Sequence, residues 1–280
     1  MKTNRRDFVK IAFVAGTGMV SHGVIPFNAA QMGIDFIDDR AINKINGINS
    51  KNMDKTIFNM TSVYQVSRLK KAMKIDGNWN KSQWKRVQTI DISNFMGKIP
   101  EFRPDAKAKM MYDDDYLYLI FRVQDRFVRC ITNEINGPVW EDACVEFFFS
   151  PDAGFPLLYF NLEINCGGTP LMRYNLIPRK EFKLLEVDDI KKIEISHLLP
   201  EIIDPEIVEP VTWTIEYKIP ISLLEKYSGV TPPKPGVTWK ANFYKVAENS
   251  SNPHYMTWSV VDNPVPDFHL PQFFGILKFQ

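Results

Sequence analysis

Residues 142–149 read DACVEFFF and residues 159–165 read YFNLEIN. Side chains alternate across a strand, so each stretch divides into two faces. Val145, Phe147 and Phe149 share one face of the first, and Phe160, Leu162 and Ile164 one face of the second. These are core stripes. The opposite faces carry Asp142, Cys144, Glu146 and Phe148, then Tyr159, Asn161, Glu163 and Asn165. The turn residues Ser150-Pro151-Asp152 separate the two stretches, and consecutive strands are usually neighbours. The pattern therefore predicts a paired sheet with an apolar inner face and an outer face of carboxylates, amides and rings.

Outward from this pair, strand signals recur between turns. Residues 116–123 (YLYLIFRV) follow Asp113-Asp114-Asp115, and residues 213–219 (WTIEYKI) stop at Pro220. Residues 239–246 (WKANFYKV) follow Pro235-Gly236, residues 256–261 (MTWSVV) precede Asn263-Pro264, and residues 275–279 close the chain. Helical spacing is confined to residues 222–227 (SLLEKY) and a second candidate at 76–87. The expectation is an all-β chain, a jelly-roll-like antiparallel β-sandwich with one or two short helices. Trp213, Trp239 and Trp258 alternate with apolar neighbours and read as core. Asn242 reads either as a cleft residue or as a turn cap.

The net charge of +1 is unevenly placed. Residues 1–30 hold Lys2, Arg5, Arg6 and Lys10 against Asp7; without them 30 basic side chains face 32 acidic ones. Such a body offers no electrostatic footprint for nucleic acid. Arg5-Arg6, then Phe8 and Lys10, then a weakly apolar run ending near Ala29-Ala30, read as a twin-arginine signal peptide over 1–30. The run is too interrupted by glycine for a permanent anchor, and no later stretch would span a bilayer. Export to the periplasm or the exterior follows, with a polar linker over 31–62 and one ordered domain over 63–280. Cys130, Cys144 and Cys166 are odd in number and match no zinc spacing, so they read as small buried hydrophobes.

The polar face has two readings. Sugar rings present C–H patches to aromatic faces, and their hydroxyls need donors and acceptors such as carboxylates and amides. A solvated sheet face is the commoner explanation of the pattern alone. Two carboxylates, Glu146 and Glu163, would also suit glycoside hydrolysis if they flanked a cleft. Met110, Met111, His254 and His269 are axial-ligand types for haem, by composition only. Asp113, Asp114, Asp115 and Asp125 are oxygen donors for a structural calcium, although a solvated turn explains such a cluster more often. No phosphate loop and no Ser-His-Asp order is present.

Several stretches, in order, resemble carbohydrate-binding family 9. They are Ile75-Asp76-Gly77 with Trp79 and Trp84, Trp140-Glu141-Asp142-Ala143-Cys144-Val145-Glu146, and the ending 268–279 (FHLPQFFGILKF). Residues 113–123, 235–243 and Thr257-Trp258-Ser259 are similar to further family stretches, so the likeness covers about 63–280. The resemblance implies a non-catalytic module that binds oligo- or polysaccharide, xylan- or cellulose-like, in support of glycan catabolism by separate glycoside hydrolases. It implies no cofactor. It implies that Trp140 is a ring platform and that Glu146 bonds hydroxyls. Phe268 stands where sugar-binding members have a second Trp. The family's sugar-contacting Arg is replaced by Asn161 or Glu163, with Arg173 the nearest downstream. His269 completes the candidate set, as a ligand contact or a structural residue.

Overall fold

The computed structural model describes residues 61–280. The expected signal peptide and nearly all of the expected linker lie outside the described residues. The strands are β1 (Val63–Arg68), β2 (Ile90–Ile92), β3 (Asn94–Phe95), β4 (Asp105–Tyr112), β5 (Tyr116–Asp125), β6 (Val128–Cys130), β7 (Cys144–Ser150) and β8 (Tyr159–Asn165). They continue as β9 (Pro170–Ile177), β10 (Glu181–Leu184), β11 (Glu194–His197), β12 (Ile203–Ile207), β13 (Val211–Pro220), β14 (Thr238–Ala247), β15 (His254–Thr257) and β16 (Gly275–Phe279). Two short helices, α1 (Val187–Ile190) and α2 (Ile221–Tyr227), complete the regular elements apart from single 3-10 turns.

The main path runs β10-β9-β8-β7-β14-β16-β1-β4-β5-β13-β11 and curls on itself. β1 is the corner. Its first four residues pair with β16 and its last two pair with β4. Both pairings are parallel, which departs from the purely antiparallel expectation. The first described strand inserts between the last strand and β4, and that entry fixes its direction.

Phe147, Phe149, Phe160, Leu162 and Ile164 line the inside of one sheet. Leu117, Leu119, Phe121, Val123, Trp213 and Ile215 line the other. Phe121 and Phe243 meet between them, with ring centroids 6.1 Å apart. Trp213 and Trp239 are core, as expected, and Trp258 packs against that core half-buried.

Both outer faces are also covered, which explains why 116–123 is apolar on both sides. Tyr118 and Ile120 pack outward with Met111 against Leu69, Met73, Ile75, Trp84 and Val87. Residues 76–87 are a series of turns rather than the second helix expected there. Trp84 N–H bonds Lys81 O and Val87 N–H bonds Trp84 O, each closing a short loop. The segment is pulled onto the sheet by Glu216, whose carboxylate receives Asp76 N–H, Gly77 N–H, Lys81 Nζ and Trp84 Nε1, each at 2.8 Å. The strand expected over 256–261 stops at Thr257. Asn242 ends it: its amide donates to Ser259 O and accepts from Ser259 N–H. Asn242 is thus a loop anchor.

Candidate functional site

The outer face of β7, β8 and β9 is neither solvated nor flat. The 3-10 turn Val139–Glu141 and the segment 260–274 fold over it, burying Val139, Phe148, Tyr159, Leu171 and Phe274 in a second cluster. Between these covers lies a cleft of about 290 Å³, at the small end of the usual range for ligand pockets.

Register sets the floor. Glu146 stands directly opposite Glu163, and Asn161 opposite Arg173. Alternation on β9 puts Leu171, Arg173 and Asn175 on the same face as Asn161 and Glu163. An arginine therefore stands one strand over from the β8 position where the resemblance implied one. Asp142 is buried under Trp140. Its carboxylate takes Ile131 N–H and Thr132 N–H at 3.0 Å and Asn165 Nδ2 at 2.9 Å. This clamp fixes the turn that carries Trp140. The ring is half-buried, with the Arg173 guanidinium 5.6 Å from its centroid.

Six of the seven expected site residues line the cleft: Trp140, Glu146, Glu163, Arg173, Phe268 and His269. Asn161 does not. It is fully buried, donates to Glu163 Oε1 at 2.6 Å, and accepts from Asn175 at 2.6 Å. It orients Glu163. Phe268 is only 8% exposed and stacks on Tyr244 at 4.1 Å, so it offers little free face. Tyr255, half-buried, is a further cleft ring. His269 Nδ1 meets Tyr159 OH at 2.7 Å, and burial pushes the imidazole down to about 4, so it is neutral at pH 7.

Sequence reasoning missed Arg179, Glu248, Tyr255 and Asp267. Arg179 and Asp267 are ion-paired at 2.7 Å and tie two segments of the cleft wall together. Neither shows in strand alternation, because both lie in loops.

Glu146 is 2% exposed and Glu163 is 4% exposed. Burial raises both carboxyls, Glu163 to about 7, and the Glu163 charge raises Glu146 further. Glu163 Oε2 and Arg173 Nε have no hydrogen-bond partner within the protein. A buried carboxyl held up to about 7 binds its proton in the folded state while the unfolded group has released it. Stability therefore falls as pH rises from about 4.5 through 7. We expect the pair to lose stability between pH 4.5 and pH 8, read from urea midpoints. Glu163→Gln should reduce that dependence without abolishing it, because burial raises Glu146 too, and an unchanged slope would contradict the assignment.

The other candidate donors do not converge. Asp113 accepts Asp115 N–H, Tyr116 N–H and Tyr118 OH, a turn closure rather than a calcium cage. Asp125 is buried 3.3 Å from the Lys245 ammonium. Among the described residues no group of three or more His, Cys, Asp or Glu is placed to hold a metal. Met110 lies in the main core and Met111 in the outer cluster. His254 has one ring nitrogen on Lys245 Nζ and the other on Asn252 O, so it does not join His269 or the methionines as a haem ligand set. The three cysteines are buried and unbridged. No helix among the described residues is long and apolar enough to cross a membrane.

A two-sheet sandwich whose outer face carries a small cleft of rings, carboxylates and guanidinium groups has the form of a small-ligand binding module. The chain belongs to carbohydrate-binding family 9, whose sequence profile matches residues 73–279. The family is one of non-catalytic carbohydrate-binding modules. A candidate carbohydrate-binding protein from Bacteroides uniformis superposes with a TM-score of 0.70 at 26% identity, over 79% of this chain and 100% of that one. A family 9 module from Caldicellulosiruptor kristjanssonii in complex with cellotriose superposes with a TM-score of 0.55 at 15% identity, over 78% and 94%. A family 9 module of the same organism with glucose gives 0.51 at 17% identity, over 78% and 96%. No curated protein matches the chain.

Proposed function

We propose that the protein is exported and binds plant-type polysaccharide chains, xylan- or cellulose-like, without acting on them. One observation carries the reading: a half-exposed Trp140 ring stands at a cleft floored by Glu146, Glu163 and Arg173. The ring supplies a stacking face. Glu146, Glu163 and Arg173 put acceptors and a donor group in the cleft lining for sugar hydroxyls. The complexes of the Caldicellulosiruptor modules with cellotriose and glucose favour the same ligand class. Its role is to hold glycan for separate hydrolases, with residues 1–30 as the export signal and 31–62 as the linker. Recovery of the protein from the cytoplasmic fraction alone would count against export.

The hydrolase reading fits poorly. Glu146 and Glu163 are direct cross-strand partners on one wall, whereas glycoside hydrolysis places its carboxylates on either side of the bond. Isothermal titration with cello- and xylo-oligosaccharides tests the proposal. Saturable binding to one series, with no release of reducing ends, is the expected result. No binding to either series would remove it, and turnover lost in Glu146→Gln would replace it.

A further inference from the structure

A second cleft, of about 580 Å³, lies beside the first. The two share Tyr255 and Pro266 as a common wall. The second cleft is built from three half-buried rings, Phe102, Phe127 and Tyr255, with Lys98, Glu101 and Arg126 also lining it. We propose that it is an extension subsite, holding further units of the same glycan chain that stacks on Trp140. The inference rests on the sugar-binding reading of the first cleft.

The backbone that carries Phe102 and Phe127 is held in place. Asn252 is buried and bonds Phe102 in both directions: its amide donates to Phe102 O at 2.8 Å and accepts from Phe102 N–H at 3.3 Å. Phe127 sits at φ +60°, a left-handed conformation that a bulky side chain rarely adopts. Its turn is fixed from both sides. Arg126 N–H donates to Asp125 Oδ1 at 2.9 Å, and Asp125 is anchored on Lys245. Arg126 Nε donates to Val208 O at 2.9 Å, and its guanidinium lies 5.1 Å from the Phe127 ring centroid. Strain of this kind persists where the surroundings over-determine it, commonly at binding surfaces.

The chemistry selects the occupant. Two cations and one carboxylate share the lining with apolar rings, so neither a strong anion nor a purely apolar ligand is matched. A neutral chain of sugar rings presents C–H faces to Phe102, Phe127 and Tyr255, and hydroxyls to Glu101 and Arg126. Continuity across Tyr255 and Pro266 favours one chain spanning both clefts over two separate ligands. Affinity then rises with chain length past the units the first cleft holds.

Phe127→Gly is the test variant. Glycine suits φ +60° without strain, so the substitution removes the ring and leaves the backbone at ease. Isothermal titration of the purified protein with the cello- and xylo-oligosaccharide series, from one to six units, reads the result. The expected result is wild-type affinity that climbs about tenfold from short to long chains, and a variant that keeps short-chain affinity but loses the climb. Length-independent binding by the wild type overturns the inference and leaves the sugar-binding reading intact. So does a variant whose long-chain affinity matches the wild type. Failure of the wild type to bind any member of either series overturns both.

Discussion

Replacing Glu216 with Ala is expected to cost the fold about 3–5 kcal/mol, the range for breaking a buried charge pair by removing one partner. The carboxylate is fully buried in the outer cover of the second sheet. Its loss would leave two backbone N–H groups and the Trp84 indole N–H without their acceptor, while the Lys81 ammonium would keep Asp76 at 2.7 Å and Lys74 O. Thr214 Oγ1 would still hold Gly77 O at 2.7 Å and Lys109 Nζ would still hold Trp84 O at 2.8 Å, but neither bond satisfies the donors that Glu216 accepts from the segment covering Tyr118 and Ile120. Gly77 sits at φ +73°, so the turn that presents its N–H is available to glycine and to few others. The melting temperature should fall by roughly 10 °C.

Glu216→Gln separates charge from hydrogen bonding. Oε2 accepts three of the four donors and Oε1 accepts only Trp84 Nε1. A glutamine that turns its oxygen toward the three must point its NH2 at the indole N–H, donor against donor. The amide variant should therefore recover part of the stability, and adding Trp84→Phe should recover more, by removing the opposed donor. A loss under about 1 kcal/mol in Glu216→Ala would show that the cover is held by apolar packing alone. The latch is on the sheet opposite the cleft, so the folded fraction should keep its affinity for ligand.

The strength of that latch was not legible in the sequence, although its parts were. Asp76, Gly77 and Trp84 stand out as an opening motif, while Glu216 is one polar residue in an apolar strand about 140 positions away. Their meeting depends on β13 pairing with β5, a long-range fact. What could be read was local. Alternation in 142–165 located the core stripe and the polar face, because a period of two leaves no freedom once one face is buried. It also put Glu146 and Glu163 on the polar face, and the register then sets them opposite each other. What could not be read came from loops and from cover. The pattern cannot say that segment 260–274 folds onto the polar face, and so cannot tell a solvated sheet from a cleft. Nor can it show that Tyr244 lies against the Phe268 ring, or that Asp125 faces Lys245 instead of a calcium ion. Arg173 was visible only as the nearest arginine downstream, with no strand expected around it. Only the register opposite Asn161 puts it next to the carboxylates.

Trp140→Ala should weaken oligosaccharide binding by at least about 30-fold, or about 2 kcal/mol, the scale of a buried aromatic anchor at an interface centre. The ring is half-exposed, so its truncation removes stacking area that the ligand would cover and little of the main core. Its turn is held by Asp142 and by backbone bonds from Glu248 and Asn249 to residues 140 and 141, none of which the substitution touches. A modest change in melting temperature beside a large change in affinity is therefore the expected pair of readings. Trp140→Phe should fall between, since it keeps a smaller stacking face. Phe268→Ala is the informative contrast. Phe268 is packed on Tyr244 and almost closed to solvent, so its truncation should lower stability more than it lowers affinity at a temperature where the protein stays folded. If the two variants behave the other way round, with Trp140 mattering to the fold and Phe268 to the ligand, the platform has been assigned to the wrong ring.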